Sequence, residues 1–415
     1  MTPAVHEVVV VGAGVVGLSV ALYLAEAGKR VVLIDRKGIA LEASYGNAGA
    51  LAFSDILPMA SPGLVRQALK WLVDPLGPLS IPPAYLPRIA PWLIRLWRAS
   101  GRERYAASTR AQAALMALAR QETPLMLKRA GLDWMVRSDG VLHLYEGGAQ
   151  YAASLPGWKL RDDHGIESQA VTGSALDELQ PGLSPQFTHA QFVPGWKTVS
   201  DPHELAQGIG RAALRKGAQF ILDEAVGLTP DDRGVTLTLA AGNVLRAEQV
   251  VVACGAWSGR LARQIGDSIP LETERGYNTT LPCNAFDLRR QLTFGGHGFV
   301  ITPLSTGIRV GGAVELGGLV RKPNYRRCET MLTKAKKFLP ALKTDGGTQW
   351  MGFRPSLPDT LPVIGRSPRT SKLIYAFGHG HLGLTQAAAT GRLVSDMILN
   401  RPCALSLHSF RPDRF

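Results

Sequence analysis

A run of four valines that leads directly into G-A-G-V-V-G is the feature that most restricts what this chain can fold into. Val8 to Val11 read as a strand covered on both faces, because β-branched residues without polar alternation suit the centre of a parallel sheet. Gly12, Gly14 and Gly17 follow, then an alanine- and leucine-rich helix from Val15 to about Ala27, which Gly28 ends. Arg30 to Ile34 make a second strand that closes on Asp35. The order is that of a βαβ unit with a dinucleotide fingerprint. Gly12 permits the tight turn, Gly14 lets a pyrophosphate approach the backbone, and Gly17 lets the helix lie on the strand. The helix start at Val15 and Val16 turns free N–H groups and partial positive charge toward the phosphates. Asp35, followed by Arg36, is placed to accept from ribose hydroxyls, and an acid there disfavours a 2′-phosphate, so NADP is not expected.

The remainder has to build a globular body. With 415 residues, 46% apolar and 19% charged, the chain is long enough for two or three domains with real cores. Lys and Arg exceed Asp and Glu by 46 to 33, a net charge of +13 that favours anionic partners and says nothing about fold. Cys254, Cys283, Cys328 and Cys403 form no CxxC pair, so no metal site, iron–sulfur cluster or disulfide framework is expected. Met1 to Glu7 show no secretory signal and no apolar run reaches about 18 residues. A reducing, cytoplasmic setting follows as the expectation.

An NAD domain would continue with further βα units after Asp35. Here the chain instead reaches the small-residue loop Ser44-Tyr45-Gly46-Asn47-Ala48-Gly49 and enters residues 56 to 100, where eight prolines fall beside Trp71, Tyr85, Trp92 and Trp97. That stretch reads as an irregular insertion without sheet. Residues 106 to 130 read as a long helix, and Trp134 to Tyr145 as a hairpin about Asp139-Gly140. Asp201 caps a helix that runs to about Lys216. Strands are expected at Gln219 to Leu222, at Gly234 to Leu239 paired with Val244 to Ala247, and at Val250 to Ala253 before Cys254-Gly255-Ala256-Trp257. Residues 270 to 315 are strand-rich, with Phe299 to Pro303 and Ile308 to Gly312 as a hairpin. A basic helix, Tyr325 to Leu339, a strand, Lys372 to Phe377, and a helix from about Thr385 to Leu399 complete the chain. The glycines of Gly378-His379-Gly380-His381-Leu382-Gly383-Leu384-Thr385 permit close backbone approach to a planar ring, and the helix that follows can stabilise negative charge on it.

These segments occur in an order that resembles the D-amino-acid oxidase-like flavoproteins: G-A-G-V-V-G, S-Y-G-N-A-G, V-V-A-C-G-A-W, G-F-R-P-S-L-P-D-T-L-P-V-I-G and G-H-G-H-L-G. Within the family the chain is most similar to bacterial D-amino-acid dehydrogenase small subunits. Pro58-Met59-Ala60-Ser61-Pro62-Gly63, Ala68-Leu69-Lys70-Trp71 and Arg309-Val310-Gly311-Gly312 share in that likeness. Leu271-Glu272-Thr273-Glu274-Arg275-Gly276-Tyr277-Asn278 resembles the branch acting on D-proline and 4-hydroxy-D-proline. The resemblance implies an α/β fold: a discontinuous Rossmann-like FAD domain at 1–55, 195–266 and 350–415. A second, α+β substrate domain on a mostly antiparallel sheet is implied at 56–194, with the insertion 56–100, and at 267–349. It also implies hydride transfer from the substrate Cα to flavin N5, giving an imino acid.

By the same resemblance Arg354, in Gly352-Phe353-Arg354-Pro355, holds the substrate carboxylate, for which a guanidinium offers a two-pronged match. A structural Arg paired with an acid such as Asp359 is the other reading. Tyr277 either bonds the carboxylate or closes the pocket, or is a core tyrosine. Ser44, Asn47, Ala48, Gly49, Gly255, Trp257 and residues Gly378 to Thr385 are expected around the flavin, and Val226 matches the position whose backbone meets the adenine. His379 and His381 lack a third ligand for a metal. No residue resembles a covalent linkage site, so FAD is expected to be bound non-covalently. Leu86 to Arg104, with five Arg among Pro, Trp and Leu, is either a lipid-facing surface or a solvated cap on the substrate domain. Relatives of this group pass electrons to a quinone, a membrane chain or a partner subunit, so peripheral contact with the inner face of a membrane is also in view. Competing activities are an oxidase of glycine, sarcosine or another secondary amine, a subunit inactive without partner chains, and a flavoprotein that binds nucleic acid. Scattered basic residues without a continuous patch speak against the last.

Overall fold

Val5–Val11 lies between two parallel neighbours, Val31–Asp35 on one side and Val244–Val252 on the other. The computed structural model describes residues 5–63, 68, 71, 72 and 77–415. Met1 to Ala4 of the expected polar N-terminus, and Leu69 and Lys70 of the Ala68–Trp71 stretch, lie outside them. Gln219–Leu222 extends the sheet in parallel beyond Val31–Asp35, and Leu373–Phe377 pairs in parallel with Val250–Val252. The strands expected at Val244 and at Val250 are one nine-residue strand that changes partner midway. Its first half forms the expected antiparallel hairpin with Gly234–Leu239, and its second half is the buried parallel centre. The valine run is covered on both faces, as its composition requires.

One face of this sheet carries the helices Val15–Glu26, Pro202–Arg215 and Gly383–Ile398. The long helix Arg102–Ala130 joins them, although its place in the chain suggested the substrate domain. Packing decides this: Leu115, Leu118, Ala119 and Leu127 bury against Leu18, Leu22 and Leu393 in one core. A polar network pins the same contact. The Tyr23 hydroxyl donates to Glu122 at 2.7 Å, and Arg392 pairs with Glu122 at 3.1 Å and with Asp396 at 2.8 Å.

Among the described residues the second sheet has nine strands. Thr348–Ser356, Glu272–Leu281, Gly307–Glu315, Phe299–Leu304 and Gln291–Phe294 lie side by side, followed by Val141–Glu146, Phe187–Val193 and Gln169–Thr172. The ladder is antiparallel except where Gln291–Phe294 meets Val141–Glu146 and where Leu79–Ser80 meets Val314–Glu315. The mostly antiparallel second sheet and the α/β first sheet are the architecture expected. Arg326–Phe338 covers one face through Cys328, Met331, Ala335 and Phe338. Ala50–Leu51, Lys197–Val199 and Val136–Arg137 form a small sheet between the two large ones.

Several local expectations are corrected. Gly140, at φ +72°, makes the expected turn, but Val136–Arg137 pairs in the small sheet while Val141–Glu146 enters the large one, so no hairpin forms. Within 56–100, Leu79–Ser80 joins a sheet and Leu86–Ala99 is a helix, its Pro87 in the first turn where no N–H partner is needed. The helix Gly147–Asp162 was not anticipated, because it opens on two glycines and contains Pro156. Thr348–Ser356 spans the expected boundary at 350 and pairs throughout with Glu272–Thr280, so the chain leaves the second sheet only after Ser356.

The buried network on the long helix yields a stability prediction. Tyr23→Phe removes one buried hydrogen bond and should lower unfolding free energy by about 1 kcal/mol. Glu122→Ala leaves the buried phenol without its acceptor and Arg392 with Asp396 alone, and should cost about 1–3 kcal/mol. Urea midpoints measure both; an unchanged midpoint for Glu122→Ala would place the long helix outside the cooperative core.

Candidate active site

A cavity of about 1190 Å³ runs from the glycine turn of the first sheet to the face of the second. Single small ligands usually occupy roughly 300–1,000 Å³, so this space suits a dinucleotide with a small molecule beside it. At one end Gly12 sits at φ +109°, and a Cβ there would come 2.4 Å from the Ala253 carbonyl oxygen. A Cβ at Gly17 would stand 1.9 Å from the Gly12 oxygen, so Gly17, behind the cavity wall, sets how closely helix and strand cross. Gly14 borders open space: of the protein atoms only the Ser44 hydroxyl would lie near its Cβ, at 3.5 Å. That hydroxyl accepts from the Val15 N–H at 3.0 Å. Val15 and Val16 line the cavity and no acid stands in the helix's first turn, so its positive end is free to face phosphates.

Asp35 lines the cavity while bracing the turn. One carboxylate oxygen accepts from Ala13 N–H at 2.9 Å and the other from Lys37 and Gly38 at 2.9 and 3.2 Å. Arg36 lies 4.0 Å over the Trp257 ring and pairs with Glu42 at 2.8 Å. Gly255 and Trp257 border the same space. Val226 does not: its carbonyl accepts from Gln264 at 2.7 Å, and Asp223, Glu224 and Ala225 form the wall there. Asn47 and Ala48 line the cavity, and the Asn47 side chain accepts from Gly49 N–H at 2.8 Å. Gly49 lies behind them at φ +72°, its carbonyl accepting from Val199 N–H at 2.7 Å.

In the C-terminal loop His379, Gly380, His381, Leu382, Gly383 and Leu384 line the cavity. Gly378 and Thr385 stand outside it: Gly378 packs against Leu357, and the Thr385 hydroxyl accepts from Ala52 N–H at 3.0 Å and donates to the Ala50 carbonyl at 3.2 Å. The two imidazoles go to different partners. His379 is buried with Nε2 2.9 Å from the Thr390 hydroxyl, and burial pushes its pKa down to about 3. His381 Nε2 lies 3.4 Å from Asp55.

On the second sheet Gly276, Gly311, Gly312 and Gly352 border the cavity, and Gly276 faces Gly352 in register. The absent side chains leave room for Arg354: a Cβ at Gly276 would stand 2.4 Å from the guanidinium carbon. Arg354 donates to the carbonyls of Ala313 and Gly312 at 2.9 and 3.3 Å. These contacts fix its plane and use two of its five N–H donors. Burial lowers its pKa, and Glu274, its partner across the strand pair, opposes that shift. Glu274 also lines the cavity, is 2% exposed, and among the described residues its Oε1 has no hydrogen-bond partner. The acid considered as a structural partner, Asp359, is held by Arg414 at 2.7 and 3.1 Å.

Tyr277 borders the cavity, but its hydroxyl donates to Glu315 and accepts from Asn324 N–H at 3.1 Å. Burial and the Glu315 bond push its pKa up to about 12. Its ring therefore shapes the wall and its hydroxyl serves the interior, which fits the core-tyrosine alternative and not the carboxylate-binding one. Sequence reasoning missed Asp55, His143, Arg161, Glu274, Thr293 and Trp350 as lining residues. Arg309, seen only as part of a likeness, also lines the cavity and donates to the Asn47 carbonyl. Period-two alternation from Gly276 would have placed Glu274 on the cavity face; Arg161 and Asp55 carry no local signal.

The chain is similar to known proteins along its whole length. The chain matches the family described as DAO, FAD dependent oxidoreductase, over residues 7–397. It is 32% identical to a protein named D-amino-acid oxidase from Bradyrhizobium diazoefficiens, covering 100% of both chains. It is 30% identical to a D-amino acid dehydrogenase from Paramagnetospirillum magneticum, covering 99% of each. The crystal structure of glycine oxidase from Geobacillus kaustophilus superposes with a TM-score of 0.79 at 23% identity, over 99% of both chains, a likeness of fold.

The buried His379 makes stability depend on pH. Its folded pKa near 3 lies below the ordinary 6.5, so the unfolded chain binds a proton that the folded chain does not. Stability should be complete above about pH 6.5 and fall as the pH drops toward 3, by up to about 1.4 kcal/mol per pH unit. Urea midpoints across that range should fall less steeply in His379→Asn, His143 keeping its own share; an unchanged slope would mean that the His379 imidazole is not held neutral.

Proposed function

The chain belongs to the DAO family of FAD-dependent oxidoreductases, and from that premise we propose that it is a D-amino-acid dehydrogenase whose favoured substrate is D-proline or 4-hydroxy-D-proline. The observation that carries the reading is the placement of Arg354, whose guanidinium stands over a glycine floor in the same cavity as the nucleotide-binding turn. A half-buried, oriented guanidinium binds a carboxylate through two parallel hydrogen bonds and fixes the rest of the substrate with it. The likeness of Leu271 to Asn278 to the D-proline branch supports the cyclic substrate.

FAD, when bound, supplies the two-electron acceptor for the hydride that leaves Cα. Gly12, Gly14 and the start of Val15–Glu26 would hold its diphosphate, and the start of Gly383–Ile398 its ring edge. The chain's own part is positional. Arg354 fixes the carboxylate, and the wall of Tyr277, Trp350 and Leu382 excludes water. His379, which lines the same cavity, stays uncharged. The C–N single bond of the substrate becomes a C=N bond, and the cyclic imine persists where an open-chain imine would hydrolyse.

The electron acceptor is proposed to approach along the helix Leu86–Ala99. Leu93, Leu96 and Trp97 of that helix line the cavity, Ile94 and Trp97 are 49% and 60% exposed, and Arg88, Arg95 and Arg98 flank them. Such a face suits an anionic membrane surface and an apolar acceptor such as a quinone. Among the described residues no helix is long and apolar enough to cross a membrane, so the contact proposed is peripheral. Trp97→Glu should reduce sedimentation with anionic lipid vesicles severalfold; sedimentation equal to that of the parent protein would remove this face from the proposal.

Anaerobic titration with D-proline, cis-4-hydroxy-D-proline, D-alanine and sarcosine tests the substrate class through loss of visible flavin absorption. Fast bleaching by the D-imino acids is the expected result, and bleaching by sarcosine alone would move the chain to the secondary-amine oxidases. Arg354→Ala should lower kcat/KM at least about 100-fold, and Arg354→Lys should recover only part of it, since an ammonium lacks the fork.

A further inference from the structure

Away from Arg354 the cavity has a second polar wall that the chemistry above does not use. His143 and Thr293 are register partners where Val141–Glu146 and Gln291–Phe294 run parallel, and both line the cavity. Each carries a buried polar atom without a hydrogen-bond partner among the described residues, Nε2 of His143 and Oγ1 of Thr293. Two indoles hold the imidazole edge-on, Trp158 at 5.0 Å and Trp196 at 6.0 Å between ring centres. Gln291, on the same strand face as Thr293, accepts from Trp196 Nε1 at 3.3 Å. The charged groups nearby are already engaged. Asp55 lies 3.6 Å from Arg161 and 3.4 Å from His381, and Arg161 donates to the carbonyls of Ser54 and Gly157 at 3.0 and 3.3 Å.

Buried polar atoms without partners are rare in folded proteins, because each loses its water without replacement. Two side by side, bordering one cavity, call for a group that satisfies both. Burial, and after it the Arg161 charge, pushes the His143 pKa down to about 3, so the ring is neutral and has one donor and one acceptor nitrogen. Burial tends to raise the Asp55 pKa, but His381 and Arg161 outweigh it and hold that carboxyl near 2. A neutral ring nitrogen next to a threonine hydroxyl suits a ligand atom that donates and accepts at once and carries no charge. A hydroxyl does this; a methylene leaves both atoms unpaired.

We propose that His143 and Thr293 form a subsite for a hydroxyl on the ring or side chain of the substrate, so that hydroxylated D-amino acids are preferred to their deoxy counterparts. The inference rests on the amino-acid reading above and deepens it by assigning the ring-substituent preference to two residues. A site built to hydrogen-bond a hydroxyl discriminates against an analogue that lacks one, since its buried groups are then left unpaired.

The test uses the flavin-loaded protein and two pairs of substrates that differ by the hydroxyl or little more: cis-4-hydroxy-D-proline with D-proline, and D-threonine with D-2-aminobutyrate. The parent protein should show the higher kcat/KM for the hydroxylated member of each pair it oxidises. Thr293→Val and His143→Phe keep the shape of the wall, and each should lower the hydroxy-to-deoxy ratio of kcat/KM about five- to tenfold, the effect of one neutral hydrogen bond. Flavin absorbance of each variant reports that the fold is kept, and the comparison within the parent protein stands alone where a variant loses its flavin. Equal kcat/KM within both pairs for the parent, or ratios unchanged in both flavin-loaded variants, overturns the subsite and leaves the amino-acid reading standing. Failure of all four compounds to reduce the flavin overturns that reading, and the subsite with it.

Discussion

The structure depends on one constraint of parallel β-structure: strands that run the same way end at the same edge. Val11, Asp35, Val252 and Phe377 are the last residues of parallel neighbours in the first sheet. The loops that leave them therefore converge, although they are up to 366 positions apart in the chain, from 11 to 377. Gly12, Arg36, Cys254 and His379 all line the one cavity at that edge. Helices begin there too, so unpaired N–H groups collect where a polyanion is to be held. The long strand Val244–Val252 makes the convergence possible, since it binds the first segment along one side and the last along the other.

The second sheet is tied to this edge by polar bridges, while its own apolar core is separate. Asn278 donates to the Gly46 carbonyl at 2.9 Å, and Arg309 donates to the Asn47 carbonyl and to the Thr280 hydroxyl. Asn278, Arg309 and Thr280 lie on neighbouring strands of the second sheet, and both carbonyls belong to the small-residue loop that follows Asp35. A carbonyl bond fixes position without filling space, which lets the two sheets face each other across a cavity instead of closing on it. The same economy of bulk produces the glycine floor: Gly276 and Gly352 are paired across adjacent strands, and the guanidinium of Arg354 occupies the space a side chain at Gly276 would need.

What could be read from the sequence was what is local. The segment from Val8 to Asp35 declares itself because strand, turn and helix lie within one short span, and Arg354 sits inside a recognisable motif. Tyr277 shows the limit. Its position in a strand says that it packs, but the register shift between Arg275 and Tyr277 and the carboxylate of Glu315 decide what its hydroxyl meets. Neither is visible in the chain. The turn at Gly140 was legible and its strands were not, because hairpin patterning describes a pair while the actual partners come from residues 187–193, 198–199 and 291–293. Asp55, His143, Arg161 and His381 come from four separate segments, and only the fold brings them together.

Burial also sorts the charges of the cavity. His143 and His379 are kept neutral because little water reaches them, whereas Asp55 stays ionised because a guanidinium and an imidazole stand beside it. Arg354 is the informative case. Its burial works against its charge, Glu274 only partly offsets this, and its own hydrogen bonds go to the carbonyls of Ala313 and Gly312. A guanidinium removed from water and left without a close counter-ion makes a structure costly unless a ligand completes it. A carboxylate from outside would supply the missing charge, and in a poorly screened cavity that interaction is worth more than it would be at the surface. In the reading proposed above, the carboxylate of an amino acid would answer that deficit, and the glycine floor that makes room for the guanidinium would leave the substrate its place.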